Sequence, residues 1–115
     1  MNTVTLSVAS REAATRRFLA ACETEHPPQG AHITFESPDL LFKTLTQLRW
    51  NLIKTITGAG PLSIREIARR VNRDVKAVHR DVHALLDAGV LERSAEGAIV
   101  FPYDAVHVDF MLRAA

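Results

Sequence analysis

The sequence predicts a small α+β fold that is mainly α. Residues 62–93 contain two successive stretches with helical spacing of apolar residues, separated by three polar residues. Short runs near both ends of the chain alternate polar and apolar residues instead, which is the period of a half-buried strand. A chain of 115 residues buries about 65% of its unfolded surface on folding, which is enough for one core.

Residues 1–36 are predicted to form a strand and helix appendage. Residues 3–8 alternate Thr or Ser with Val or Leu, and a helix follows from about Ser10 with Ala14, Phe18 and Ala21 on its apolar edge. Residues 27–30 break the chain, and a second short alternation surrounds Ile33. Because short strands need neighbours, we expect this appendage to pair with the C-terminal strand, a second subunit or a protein partner.

The next element is predicted to be one continuous helix near the start of residues 37–115. One stripe is formed by Leu41, Leu45, Leu48 and Leu52, and Phe42, Trp50 and Ile53 lie off it. A helix that is apolar on several sides is buried centrally or in a dimer interface, with Trp50 as a packing residue.

Two capped helices follow. Ser63 and Glu66 have the spacing of a capping box, and Ile64, Ile67, Ala68 and Val71 form the apolar stripe of the first helix. Asp74 is a suitable N-cap for the second helix, and Gly89 is its stop signal. The stripe predicted to be buried on the second helix consists of Val75, Val78, Val82, Leu85 and Leu86.

Beyond Gly89 the pattern becomes extended, with a turn predicted near Glu96 and Gly97. Two helices followed by a β-hairpin form a winged helix-turn-helix, which is the predicted architecture of residues 37–115. The hairpin is the wing of this motif, and its tip carries the acidic Glu96, which argues against insertion of the tip beside phosphates. A last strand is predicted where Val106, Val108, Phe110 and Leu112 alternate with His107, Asp109 and Met111, either within one protomer or across a two-fold axis.

The second helix is predicted to lie in the major groove of DNA. Its outer face carries cations beside the small Ala77, which permits close approach to the DNA. Arg80 is the best candidate for a bidentate contact to guanine. Lys76 and Arg73 suit phosphates better. The predicted DNA-binding residues are Arg65, Arg69, Arg73, Lys76, Ala77, His79, Arg80, His83 and Arg93.

The segments SIREIARRVNRDVKAVHRDVHALLDAGV and FPYDAVHVDF resemble a family of small prokaryotic winged-helix proteins described as DNA-binding transcriptional regulators. Members of that family resemble the antitoxin partner in two-gene toxin–antitoxin modules. The resemblance covers almost the whole chain and implies DNA binding and toxin neutralisation. Residues 23–31 match no motif of the family, so the resemblance identifies no toxin-binding residue in this chain.

Composition and motifs exclude several other classes. The formal net charge is +1, so any affinity for nucleic acid must come from a local patch, and one cysteine cannot form a disulfide framework. The absence of GxSxG, HExxH, Walker A and CxxC spacings predicts a protein that is not an enzyme and needs no cofactor or metal. No signal-like or membrane-spanning segment is visible, which favours the cytoplasm and no membrane partner.

Three functions remain open from the sequence. The first is a dimeric DNA-binding antitoxin and autorepressor that binds double-stranded DNA and a cognate toxin. The second is a one-component regulator that responds to a metal or small ligand, which would require His79, His83 and His107 to converge. The third is a winged helix that serves only as a protein-interaction module.

Overall fold

The computed structural model of the protein describes residues 2–9, 12, 15, 16, 19 and 31–111. The elements in chain order are β1 Thr3–Val8, β2 Ala31–Phe35, α1 Pro38–Thr44, α2 Gln47–Ile56, α3 Ile64–Val71, α4 Val75–Asp87, β3 Glu92–Arg93, β4 Ile99–Val100 and β5 Ala105–Asp109. The predicted α+β class is therefore confirmed. Among the described helices none is both long enough and apolar enough to cross a membrane.

Three parallel strands form the main sheet, in the order β2-β1-β5. Val4 at the centre is registered with Ala31 on one side and Val106 on the other. Both N-terminal strand predictions are confirmed, and β1 pairs with the C-terminal strand as expected. One sheet thus combines strands from residues 1–36 and 37–115, and the division between these two segments stays a prediction.

The helix predicted from about Ser10, with its apolar edge of Ala14, Phe18 and Ala21, lies largely outside the described residues. The strand prediction around Val106 is confirmed over Ala105–Asp109, and Leu112 also lies outside the described residues.

One hydrophobic core joins the sheet to the helices. Val4 and Leu6 of β1 are buried in the same cluster as Ile53 of α2, Ile67 of α3 and Leu85 of α4. Burial of each such side chain stabilises the fold by roughly 1.5–3 kcal/mol. The core therefore fixes the helices relative to the sheet.

The prediction of one continuous helix over the leucine stripe is wrong. The chain forms α1 and α2 instead, because the side chain of Thr46 accepts a hydrogen bond from the Arg49 backbone N–H at 3.3 Å and begins a new helix. The break changes which residues face the core: Leu41, Leu45 and Leu52 are buried, whereas Leu48 is 51% exposed and Phe42 is 58% exposed.

The predicted hairpin is confirmed as β3 and β4, with Gly97 at φ +84° in the turn. The backbone N–H of Gly97 donates to the Ser94 carbonyl at 2.9 Å. Leu62, just before α3, exchanges two backbone hydrogen bonds with Ile99 of β4, at 2.8 and 2.7 Å. The hairpin is therefore tied to the start of α3.

Candidate nucleic-acid interface

The candidate site is the surface formed by α3, the turn after it, α4 and the hairpin. The Ser63 hydroxyl accepts a hydrogen bond from the Glu66 backbone N–H at 3.1 Å and begins α3. Asn72, with a left-handed φ of 56°, ends it. The Asp74 carboxylate accepts the backbone N–H groups of Lys76 and Ala77, at 3.1 and 3.4 Å, and begins α4. The sequence predicted both helix starts correctly.

The inner face of α4 is held rigidly against the core. Val78, Val82 and Leu85 are 0% exposed, as predicted. Val75 is an exception, because it is 43% exposed although it was predicted to be buried. It is the first residue of α4 and lies at the end of the buried stripe.

A network of two arginines and one aspartate joins α4 to α2 and to the turn. The Nε–H of Arg49 in α2 donates to Oδ1 of Asp81 in α4 at 3.1 Å, and its Nη1 donates to the Thr44 carbonyl at 3.2 Å. Nη1 of Arg73 lies 3.0 Å from Oδ2 of Asp81 but makes no aligned hydrogen bond, so that contact is purely ionic. The side chains of Arg49 and Arg73 are each 22% exposed.

The predicted DNA-contacting Arg73 thus lies against a carboxylate. Its charge is neutralised locally, and its guanidinium is mostly removed from solvent. Its contribution to the candidate site is to position α4 rather than to present a free cation.

A second cluster of charges lies on the exposed side of α3. The Glu66 carboxylate accepts hydrogen bonds from Arg69 and, at 3.0 Å, from Nε of Arg70. Hydrogen bonds from Arg69 first and Arg70 second lower the pKa of Glu66 from its usual 4.5 to about 2, and the same contact raises the pKa of Arg69. Glu66 therefore does not complete the predicted capping box but neutralises two arginines.

Other predicted DNA-binding cations on α3 and α4 remain free. Lys76 and Arg80 are exposed, as is Arg65 on α3, and none of the three forms an ion pair within residues 31–111. These side chains are available to phosphates and base edges.

The same face extends toward the hairpin. The rings of His79 and His83 lie with centroids 4.1 Å apart, and Nη2 of Arg93 in β3 is 3.5 Å from Nε2 of His83. Ala77 is half-buried between the charged positions. We call the surface formed by Lys76, His79, Arg80, His83 and Arg93 the α4 strip.

An open depression of about 480 Å³ lies where α3 meets α4. It is lined by Arg65, Ala68, Arg69, Asn72, Arg73, Asp74 and Val75. The exposure of Val75 follows from its position in this depression. The Asp74 carboxylate caps the positive end of α4 here, and Arg65 forms no ion pair within residues 31–111.

The three histidines invoked for a metal do not form a metal site. His79 and His83 lie on α4, whereas His107 lies in β5 of the main sheet. Across the part of the chain that is described, no group of three or more His, Cys, Asp or Glu residues could hold a metal ion. Two imidazoles alone leave half of a tetrahedral coordination shell unfilled.

Sequence reasoning missed the residues that pair with the predicted cations. Glu66 and Arg70 have the i, i+4 spacing that is typical of an ion pair on a helix. The sequence alone could therefore have predicted this ion pair. Arg49 and Asp81 are 32 residues apart, and only the tertiary fold brings them together. No local pattern predicts that pair.

Part of the chain matches a known protein family. The family model HVO_A0114 matches residues 44–108, which is more than half of the chain and includes α2, α3, α4 and the hairpin. No curated protein and no solved structure matches the chain significantly.

Proposed function

We propose a function for this chain, which belongs to the HVO_A0114 family. In this proposal residues 37–115 form a winged helix-turn-helix, and the protein is a sequence-specific DNA-binding transcriptional regulator. In this proposal α4 is the recognition helix, α3 is the helix that precedes it, and β3 and β4 are the wing. The order of the elements agrees with this assignment, since the hairpin directly follows α4 and is hydrogen-bonded to Leu62, two residues before α3.

The observation that carries the proposal is the distribution of free charge. Arg69, Arg70 and Arg73 are each paired with a carboxylate, whereas Lys76 and Arg80 on the outer face of α4 are exposed and form no ion pair with any described residue. A protein with a net charge of only +1 has no general attraction for nucleic acid, so attraction has to come from a local patch, and the α4 strip is the patch that we propose.

The roles of the strip residues follow from their chemistry and position. Arg80 lies in the middle of α4 with a free guanidinium, which suits bidentate pairing with guanine in the major groove. Lys76 in the first turn of α4 and Arg93 in the wing suit backbone phosphates. The wing tip carries Glu96, which is repelled by phosphates, so the wing contacts DNA through its base rather than its tip.

We further propose that this regulator is the antitoxin and autorepressor of a two-gene module. This part rests on the family resemblance of the sequence described above. A dimeric repressor of this kind reads an inverted repeat with two recognition helices roughly 34 Å apart, one turn of the duplex. A test is co-expression with the neighbouring open reading frame: retention of its product by the tagged protein, and loss of that product's toxicity, are the expected results.

The DNA-binding proposal is tested by fluorescence anisotropy with DNA from upstream of the gene and with random DNA, at several salt concentrations. We expect Arg80→Ala to weaken binding to the upstream DNA by about 5- to 150-fold, the equivalent of roughly 1–3 kcal/mol, and to affect random DNA far less. Lys76→Ala is expected to weaken both alike and to reduce the salt slope by about 0.9.

Lys54→Ala is the matched control, because Lys54 is an exposed lysine on α2 rather than on the α4 strip. Its affinity for both DNAs is expected to equal that of the wild type. Equal losses for Lys54→Ala and Lys76→Ala would contradict the assignment of the strip. Absence of salt-sensitive binding by the wild type would overturn DNA binding and favour a protein-interaction module.

A further inference from the structure

We infer that β5 is a homodimerisation strand, through which two copies of the chain pair antiparallel about a two-fold axis at Val108 and join their sheets into one of six strands. The inference does not depend on DNA binding, because it rests on β5 and the surface beside it. Among the described strands, β5 is an edge of the main sheet, with β1 on its inner side.

The backbone of β5 presents unused hydrogen-bonding groups at this edge. The N–H of Ala105 donates to the Asn2 carbonyl at 3.4 Å, on the side of β1. Backbone groups in a strand alternate in direction, so those of Val106 and Val108 point away from β1. No described residue hydrogen-bonds to these outward groups. An unpaired edge of this kind is a template for another strand.

The side chains along the edge are apolar on one face. Val106 and Val108 lie in β5 and Phe110 follows directly after its last residue. Val108 is 43% exposed and Phe110 36% exposed. The ring of Phe110 packs edge-on against Phe42, with centroids 5.7 Å apart. These residues border an open groove of about 470 Å³, whose lining also includes Leu41, Leu45 and Trp50.

This exposed apolar surface is unusual beside an unprotected strand edge, where charges or Pro normally prevent association. A single strand pair is marginally stable by itself, so a stable pairing needs further apolar contact. The rings of Phe42 and Phe110 supply that contact next to β5.

The sequence of β5 is complementary to itself in one register. With Val108 opposite Val108 of the second copy, Val106 lies opposite Phe110, and His107 lies opposite Asp109. Centring on Val108 also uses the outward backbone groups, because a residue opposite its own copy then exchanges both hydrogen bonds. Centring on His107 or Asp109 would place identical ionisable residues opposite each other. This match of charge and register favours a second copy over a strand from another protein.

Disulfide trapping tests the register. In the background Cys22→Ser, which removes the only native cysteine, Val108→Cys brings two cysteines to a Cα separation of about 5.5 Å, within the range of a disulfide. Val106→Cys is the matched control, because its two copies lie roughly 13 Å apart along the paired strands. Mild oxidation is expected to give covalent dimers for Val108→Cys and few for Val106→Cys. Equal trapping of both variants, or trapping of neither, would overturn the inference.

Charge exchange tests the contact across the interface. His107→Asp places two carboxylates opposite each other and is expected to weaken dimerisation about tenfold, and adding Asp109→Lys is expected to restore it. His32→Asp is the control, because His32 is exposed on the opposite edge strand and is registered with the same Thr5 as His107. It is expected to dimerise as the wild type does.

Light scattering and sedimentation give the masses, and circular dichroism shows that each variant is folded. The wild type is expected at twice the chain mass of 12.7 kDa. A wild type that is monomeric up to about 100 μM would overturn the inference. So would a dimer that all β5 variants leave unchanged, since the interface would then lie elsewhere.

Discussion

Replacement of Asp81 by Asn tests whether one partly buried carboxylate positions α4. Asp81 has a side chain that is 14% exposed and lies against two arginines that are each 22% exposed. Asparagine keeps the size of the side chain and an oxygen that accepts from Arg49, but it removes the negative charge. Two half-buried cations, Arg49 and Arg73, then face each other with no charge between them.

The magnitude follows from the two contacts. A charge-assisted hydrogen bond such as that from Arg49 contributes roughly 1.5–3 kcal/mol, of which the amide retains part. The unaligned ion pair with Arg73 contributes about 0.5–1 kcal/mol at this degree of burial. We expect Asp81→Asn to lower the free energy of unfolding by about 1.5–3 kcal/mol in urea titrations.

Asp87→Asn is the matched control, because Asp87 is an exposed residue at the end of the same helix. Its effect is expected to stay within about 0.5 kcal/mol. A double-mutant cycle of Asp81→Asn with Arg49→Met is expected to give a coupling energy of about 1–2 kcal/mol. A loss below about 0.5 kcal/mol for Asp81→Asn, or zero coupling, would refute the reasoning that this network holds α4 in place.

The other predictions concern the helix starts, the core and the ion pairs of α3. Ser63→Ala is expected to lower the free energy of unfolding by about 1 kcal/mol in urea titrations, because the N–H of Glu66 loses its acceptor; an unchanged value would contradict the capping role. Val82→Asp buries an uncompensated charge at a position that is 0% exposed, so we expect loss of helical circular dichroism rather than selective loss of DNA binding. Because its folded-state pKa is depressed, Glu66 stabilises the fold above about pH 4.5 and loses that contribution as pH falls toward 2. The stability difference between wild type and Glu66→Gln is therefore expected to shrink between pH 5 and 2, and a difference independent of pH would contradict the pairing.

Local signals predicted most of the elements, and tertiary contacts decided the rest. The capping residues Ser63 and Asp74 act on backbone groups within three residues of themselves, so sequence spacing was sufficient to place both helix starts. Thr46 is also a local signal, but the leucine periodicity around it favoured a continuous helix. An N-cap at Thr46 predicts a new helix, whereas the apolar stripe predicts an uninterrupted one. Tertiary packing determines which of the two forms, and periodicity alone does not show it.

In the candidate site, too, local sequence predicts the positions of the side chains, and tertiary contacts determine which of them are paired. A helical wheel that is extended back to Arg73 places it on the same side as Arg80, and the sequence therefore predicted a role at DNA for both. The fold separates them, because Asp81 contacts Arg73 but not Arg80. Which arginines remain free is determined by carboxylates that arrive from other turns and other helices.

The difference between the paired Arg73 and Arg80 affects how the α4 strip would bind DNA. A paired arginine is oriented and neutralised, so it contributes position but little attraction for phosphates. A free arginine contributes attraction and can form a bidentate contact, but only if the helix beneath it is held in a fixed orientation. Asp81 provides that orientation through Arg49 on α2 and Arg73 in the turn, and leaves Arg80, one residue before it, unpaired. In the proposed recognition of DNA, the Asp81 carboxylate therefore withdraws Arg73 from the binding surface and holds α4 in the orientation that presents Arg80.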